Sequence, residues 1–188
     1  MKHMVLLFLA AGVLFSCASL PKPVNESDSL VIGSIVWTFP DGFFQYPPRT
    51  HTDNIVLVIV DLSTGEQFKI KPENSFFTFL TNGSDKFVLQ HVYLEKSIPG
   101  DNFNVMCQLN LPIKSSPKRI VNVGQIKIIF ASPEISEAKQ ENGMIYGYWR
   151  DRQSYAITDN SEGVKKYLAE QDDDAVWSNH KVVNLYEK

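Results

Sequence analysis

His51, His91 and His180 are the imidazoles that could do acid–base or metal chemistry in this 188-residue chain. His51-Thr52-Asp53 places an imidazole and a carboxylate two residues apart, a pair that can hold a metal. A zinc site needs three or four such ligands, and no second histidine or cysteine pair lies nearby, so the pair reads as part of a polar loop. His91, next to Val92, reads as a strand residue with a hydrogen-bond partner, and His180 falls in a polar turn. Glu134, Glu137 and Glu141 lie in a polar, solvated stretch. Asp172-Asp173-Asp174 could attract calcium but lacks the glycine and spacing of a calcium loop, so it reads as a solvated acidic turn. There is no G-x-S-x-G elbow, H-E-x-x-H pair or phosphate loop. The expectation is therefore no catalytic residue, no metal and no cofactor.

The chain has two thiols, Cys17 and Cys107. Phe103, Val105, Cys107, Leu109 and Leu111 alternate with mostly polar residues, which places Cys107 on the core face of a strand as a buried, inert thiol. Cys17 follows an apolar run, Met4 to Phe15, with Lys2 and His3 before it and the small Ser16 after it. A run of about a dozen residues is too short for a bilayer that needs roughly twenty, and its flanks are those of a secretory signal. On one reading an ordinary signal is cut near Ala18 and Cys17 is discarded.

The second reading is sharper. Leu14-Phe15-Ser16-Cys17 resembles the lipobox of bacterial lipoproteins, with Leu three positions before the cysteine and a small residue directly before it; Phe15 is bulkier than the usual residue at its position. The resemblance implies cleavage before Cys17, a diacylglycerol thioether on its sulfur, and a further acyl group such as palmitate on the new α-amine. One chain holds a protein at a membrane marginally and two or more anchor it stably. The membrane, reached through lipid on Cys17, is thus the expected partner. Under the enteric-type sorting rule of Gram-negative bacteria, Ala18 rather than Asp after the cysteine implies the outer membrane of the envelope over the inner one.

Removal of residues 1–16 leaves about 170 residues, enough for one domain with a proper core. The net charge is −3 with mixed signs, without the basic stripe that nucleic-acid binding needs. Residues 17–29 read as a lipidated, polar, proline-bearing tether with a reach of roughly 40 Å if extended. From Leu30 the chain is a series of strand signals: Leu30–Phe39, Ile55–Leu62, Glu66–Lys71, Ser75–Leu80, Lys86–Lys96, the Cys107 strand and Ile120–Phe130, separated by Pro-, Gly- and Asn-bearing turns. That pattern predicts a mainly β fold, a single antiparallel β-sandwich of about seven to nine strands over residues 30–131.

Residues 132–188 read as a strand-and-helix appendage packed on the sandwich. Asp159 to Gln171 is the one helix, with Asp159 and Glu162 as a capping box and Val164, Tyr167 and Leu168 as its apolar stripe. Gly163 weakens it. Val182, Val183 and Leu185 suggest a last strand.

Trp37, Phe39, Phe43, Phe44 and Tyr46 fall within ten residues around Pro40-Asp41-Gly42. Phe43, Phe44 and Tyr46 cannot all enter the core if that turn is exposed, and an exposed aromatic patch would mark a binding surface. The alternative is that they cover the open end of the sandwich. Tyr146, Tyr148 and Trp149 pose the same choice.

The stretch from Val58 to Val92, with Asp61-Leu62-Ser63-Thr64-Gly65 and Asn74-Ser75-Phe76, resembles the transthyretin-like (prealbumin-like) β-sandwich modules attached to secreted bacterial proteins. It departs from them at Asn82-Gly83-Ser84-Asp85, where they carry Pro-Gly before an aromatic. These modules are mostly non-catalytic. The sequence thus points to an envelope lipoprotein acting as a binding or interaction module for an envelope protein or ligand. The alternatives are a hydrolase of envelope polymers and a purely structural envelope component.

Overall fold

The structure, a computed structural model, describes residues 20–39, 49–51, 54–83, 86–94, 106–130, 139–141, 144–146, 153–172 and 174–185. These hold β1 (Ser29–Phe39), β2 (Arg49–His51), β3 (Ile55–Asp61), β4 (Gln67–Ile70), β5 (Phe76–Thr81), β6 (Lys86–Leu94), β7 (Met106–Lys114), β8 (Arg119–Phe130), β9 (Lys139–Glu141), β10 (Met144–Tyr146), β11 (Gln153–Thr158), α1 (Ser161–Gln171) and β12 (Lys181–Asn184). Among the described residues the fold is mainly β with one helix, and nine of the twelve strands are four residues or longer.

The larger sheet is built around β8. One edge of β8 carries β1, running parallel over Leu30–Thr38 against Ile120–Ile129. The other edge carries two strands end to end, β12 parallel along Arg119–Asn122 and β11 antiparallel along Gln125–Phe130. The outer edge of β1 likewise holds β5 and β2 in succession, both antiparallel. The smaller sheet is antiparallel, in the order β4-β3-β6-β7, and β9 and β10 form a separate pair. The purely antiparallel sheet arrangement expected from the sequence is therefore corrected: the larger sheet is mixed. Alternation along a strand fixes which side chains face the core, but not the direction of a neighbour, and Leu30 and Ile120 lie ninety positions apart, ample chain for a crossover.

Residues of both sheets meet in one core cluster. Val31, Ile35, Trp37, Val121, Ile126 and Ile128 of the larger sheet join Ile55, Leu57, Ile59, Leu89, Val92 and Cys107 of the smaller. Gly33, which the alternation places among the inward residues of β1, is the seat of the Phe77 ring: a Cβ at 33 would lie 2.6 Å from Phe77 Cζ, and the two residues are register partners. Leu30 and Ile32 point to the other face of the larger sheet. There they join Ile120, Val164, Tyr167, Trp177 and Leu20 in a second cluster. Strand β1 is thus covered on both faces, as the near-continuous apolar sequence Leu30-Val31-Ile32 requires.

Gly124 marks an irregularity in β8. Ile32 pairs with Asn122 and Ser34 with Gln125, so β8 carries one extra residue there. Gly124 has φ +87°, a conformation costly for any residue with a Cβ. Asn122, fully buried, stabilises the bulge: its Oδ1 accepts the Gly124 amide at 2.8 Å, while its Nδ2 donates to Asn184 Oδ1 at 2.9 Å.

Two strands of the carboxyl-terminal third join the larger sheet. β11 and β12, beyond residue 131 in the chain, are both hydrogen-bonded to β8. Helix α1 begins at Ser161 with Asn160 as its cap residue, and the expected capping box is not formed. Asp159 instead accepts the Ser161 amide and hydroxyl at 3.0 and 2.5 Å, which holds its carboxyl below the usual range. Asn160 reaches away from the helix, donating from Nδ2 to Ser34 Oγ at 2.7 Å. Val164 and Tyr167 are buried, Leu168 partly so, and Tyr167 stacks on Phe76 with centroids 4.3 Å apart.

Candidate functional site: an amino-terminal clamp

Cys17, Phe43, Phe44 and Tyr46 lie outside the described residues, as do Asp53, Glu134, Glu137, Tyr148 and Trp149. Of His51 only the backbone bears on the argument: β2 sets it opposite Trp37 of β1. His91 lies on β6 of the smaller sheet, its ring 6.2 Å from that of Tyr93, with Lys69 Nζ 5.6 Å from the Tyr93 centroid. Partial burial, then the Lys69 charge, push its pKa below the ordinary histidine value. His180 sits against Trp177 with ring centroids 4.9 Å apart, and its Nδ1 is buried without a hydrogen-bond partner. His91 lies on the smaller sheet and His180 in the turn that precedes β12 of the larger one, so the two belong to different elements. Among the described residues no group of three or more His, Cys, Asp or Glu is placed to hold a metal ion. No described helix is long and apolar enough to cross a membrane. Cys107 is a buried free thiol, and burial pushes its pKa up to about 11.

The most constructed feature outside the core lies where the chain enters the fold. Residues 20–28, read from sequence as the distal part of a tether, are docked. Leu20 is 5% exposed, inserted in the cluster under α1. Pro21 offers its carbonyl to the buried Trp177 indole, Nε1 to O 3.0 Å. Lys22 forms an ion pair with Asp174 that raises the lysine pKa. Further on, the Val24 and Asn25 amides donate to Asp28 Oδ2 at 2.7 and 2.8 Å; the Asn25 amide foremost holds that carboxyl below its usual range. A turn thus closes the segment before Ser29 Oγ donates to the Ser116 carbonyl at 2.6 Å.

The other jaw is the turn after α1. Asp172 accepts the Val176 and Trp177 amides, each at 2.9 Å, which folds the chain back and delivers Trp177 under the entering strand. In the acidic turn read as solvated, Asp172 is half-buried and structural, while Asp174 is exposed and pairs with Lys22; Asp173 lies outside the described residues. Between the jaws is a cleft of about 20 Å³ lined by Leu20, Lys22, Asp172, Asp174 and Trp177, room for about one water. Its chemistry is that of a fastening: apolar insertion, an indole hydrogen bond and an ion pair.

Sequence reasoning missed this site. Leu20 is one apolar residue in a polar, proline-bearing stretch, and Trp177 sits in a stretch without periodicity. The available signal was Asp28 three residues after Asn25, the spacing of a side chain that closes its own turn. Comparison with protein-family models, with curated proteins and with solved structures finds no match to this chain.

Proposed function

We propose that this chain is a lipid-anchored envelope protein, held by acyl chains on Cys17, whose two sheets pack as a β-sandwich presenting a non-catalytic binding surface. The observation that carries the reading is Leu14-Phe15-Ser16-Cys17 at the end of a short apolar run behind Lys2. The fold is compatible with it: the chain enters the domain three residues after Cys17. The shared core of the two sheets supports the sandwich, and the transthyretin-like resemblance is of the same architecture. Placement in the outer membrane belongs to the same proposal and rests on Ala18. The binding surface is assigned to Phe43, Phe44 and Tyr46, on sequence alone.

Replacing Cys17 with Ser should abolish incorporation of labelled fatty acid and release the protein into soluble fractions. Membrane retention of Cys17→Ser would count against the anchor. For the surface, the full chain and its Phe43→Ser/Phe44→Ser variant are used as baits on native envelope. Recovery of the same partner by both sinks the aromatic-patch assignment.

A further inference from the structure

We propose that the amino-terminal segment is a clamp that holds one pole of the domain, the turn after α1 and the strand entry beside it, against the lipid headgroups of the anchoring bilayer. This rests on lipidation of Cys17. A tether over residues 17–29 would let the domain stand off by roughly 40 Å. The docked segment removes that freedom, because Leu20 is already in the cluster under α1, and Pro21 and Lys22 are fastened to Trp177 and Asp174. Between the acylated cysteine and Leu20 run three Cα–Cα steps, a span of at most about 11 Å. The thioether itself sits at the headgroup boundary, so the Leu20 pole is confined within about one headgroup layer of it. The occupant of this face is the bilayer of the protein's own anchor. The smaller sheet, on the far side of the core from the α1 cluster, then faces away from the membrane.

The test uses the full lipidated chain in phosphatidylethanolamine/phosphatidylglycerol vesicles that carry a short-range fluorescence quencher on a headgroup. A fluorophore is placed on Ser178→Cys, next to Trp177, or on Gln108→Cys, exposed on β7 of the smaller sheet and about 10 Å or more further from the pole by one sheet-to-sheet spacing. Labelling is selective, because the Cys17 sulfur is a thioether and Cys107 is buried with a raised pKa. Mass spectrometry reads the lipid on Cys17 in each sample. The expected result is strong quenching at 178 and weak quenching at 108. Inserting twelve Gly/Ser residues between Ser19 and Leu20 should bring the ratio to about one, since such a linker is a flexible coil. Equal quenching at the two positions in the lipidated chain, or a ratio unmoved by the insertion, overturns the clamp. A chain without lipid mass fails earlier and refutes the anchor itself.

Discussion

Asn122 has no exposed surface, and its amide ties three parts of the fold: the Gly124 bulge, β12 through Asn184, and α1 through the Asn184 bond to Ser161 Oγ. Truncation to Ala strands buried donors and acceptors. Asn122→Ala should lower unfolding stability by about 1–3 kcal/mol, read as a fall in urea midpoint at constant slope. Cys107 makes a pH prediction. Its folded pKa is about 11 against an ordinary 9.0, so the folded state holds the thiol proton more tightly than the unfolded chain does. Its contribution to stability is complete below pH 9 and declines as the pH rises from about 9 towards 11, where the unfolded thiol ionises first. A Cys107→Ala variant, less stable overall through its cavity, should show a shallower decline across that window in parallel denaturation series. The buried position of Cys107 was legible from its place in an alternating strand; the role of Asn122 was not, because it depends on an irregularity that pairs residues far apart in sequence.

At the scale of the element, helix α1 departs from simple propensity. Replacing a helical glycine by alanine normally stabilises, by up to about 1 kcal/mol in a helix interior, and Gly163 lies in the first turn of α1. At position 163, however, a Cβ would fall 2.2 Å from Asn160 Oδ1, and Asn160 is committed to Ser34. Gly163→Ala should therefore yield no gain or a small loss in thermal unfolding, since displacing Asn160 forfeits a hydrogen bond of about 0.5–1.5 kcal/mol. Asn160→Ala alone should lose stability, and adding Gly163→Ala to it should recover the propensity gain. A full gain from the single Gly163→Ala change would refute the packing role given to Gly163. The helix and its apolar stripe were readable from the spacing of Val164, Tyr167 and Leu168. Its cap was not: the sequence pointed to Asp159, whereas Asn160 is the cap residue and its side chain is drawn to Ser34, far more distant in sequence than any local spacing could record.

For the whole molecule, residues 132–188 read as an appendage packed on the sandwich, and within them β11 and β12 complete the edge of β8 while α1 packs in one cluster with Leu30, Ile32 and Ile120. A chain cut to residues 30–131 should not fold independently: it leaves the β8 edge unpaired and one face of the larger sheet bare. The expected readout is aggregation, or absence of the cooperative unfolding transition expected of residues 18–188; a soluble, cooperatively folding 30–131 fragment would refute this. Strand positions and inward faces were legible, since each depends on a local period of two. Strand direction, the edge sharing of β11 and β12, and the docking of Leu20 depend on contacts between distant segments that no local period records.

The parallel ladder between β1 and β8 has a mechanical consequence. A load entering at the amino end of β1 and leaving through the carboxyl end of β12 pulls along strands that run in the same direction on either side of β8. Such a pull slides the strands past one another, so the hydrogen bonds of each ladder share the tension at once instead of parting in sequence. The domain is therefore built to resist traction from its amino terminus, and its lifetime under force would be set by how fast that shear barrier is crossed.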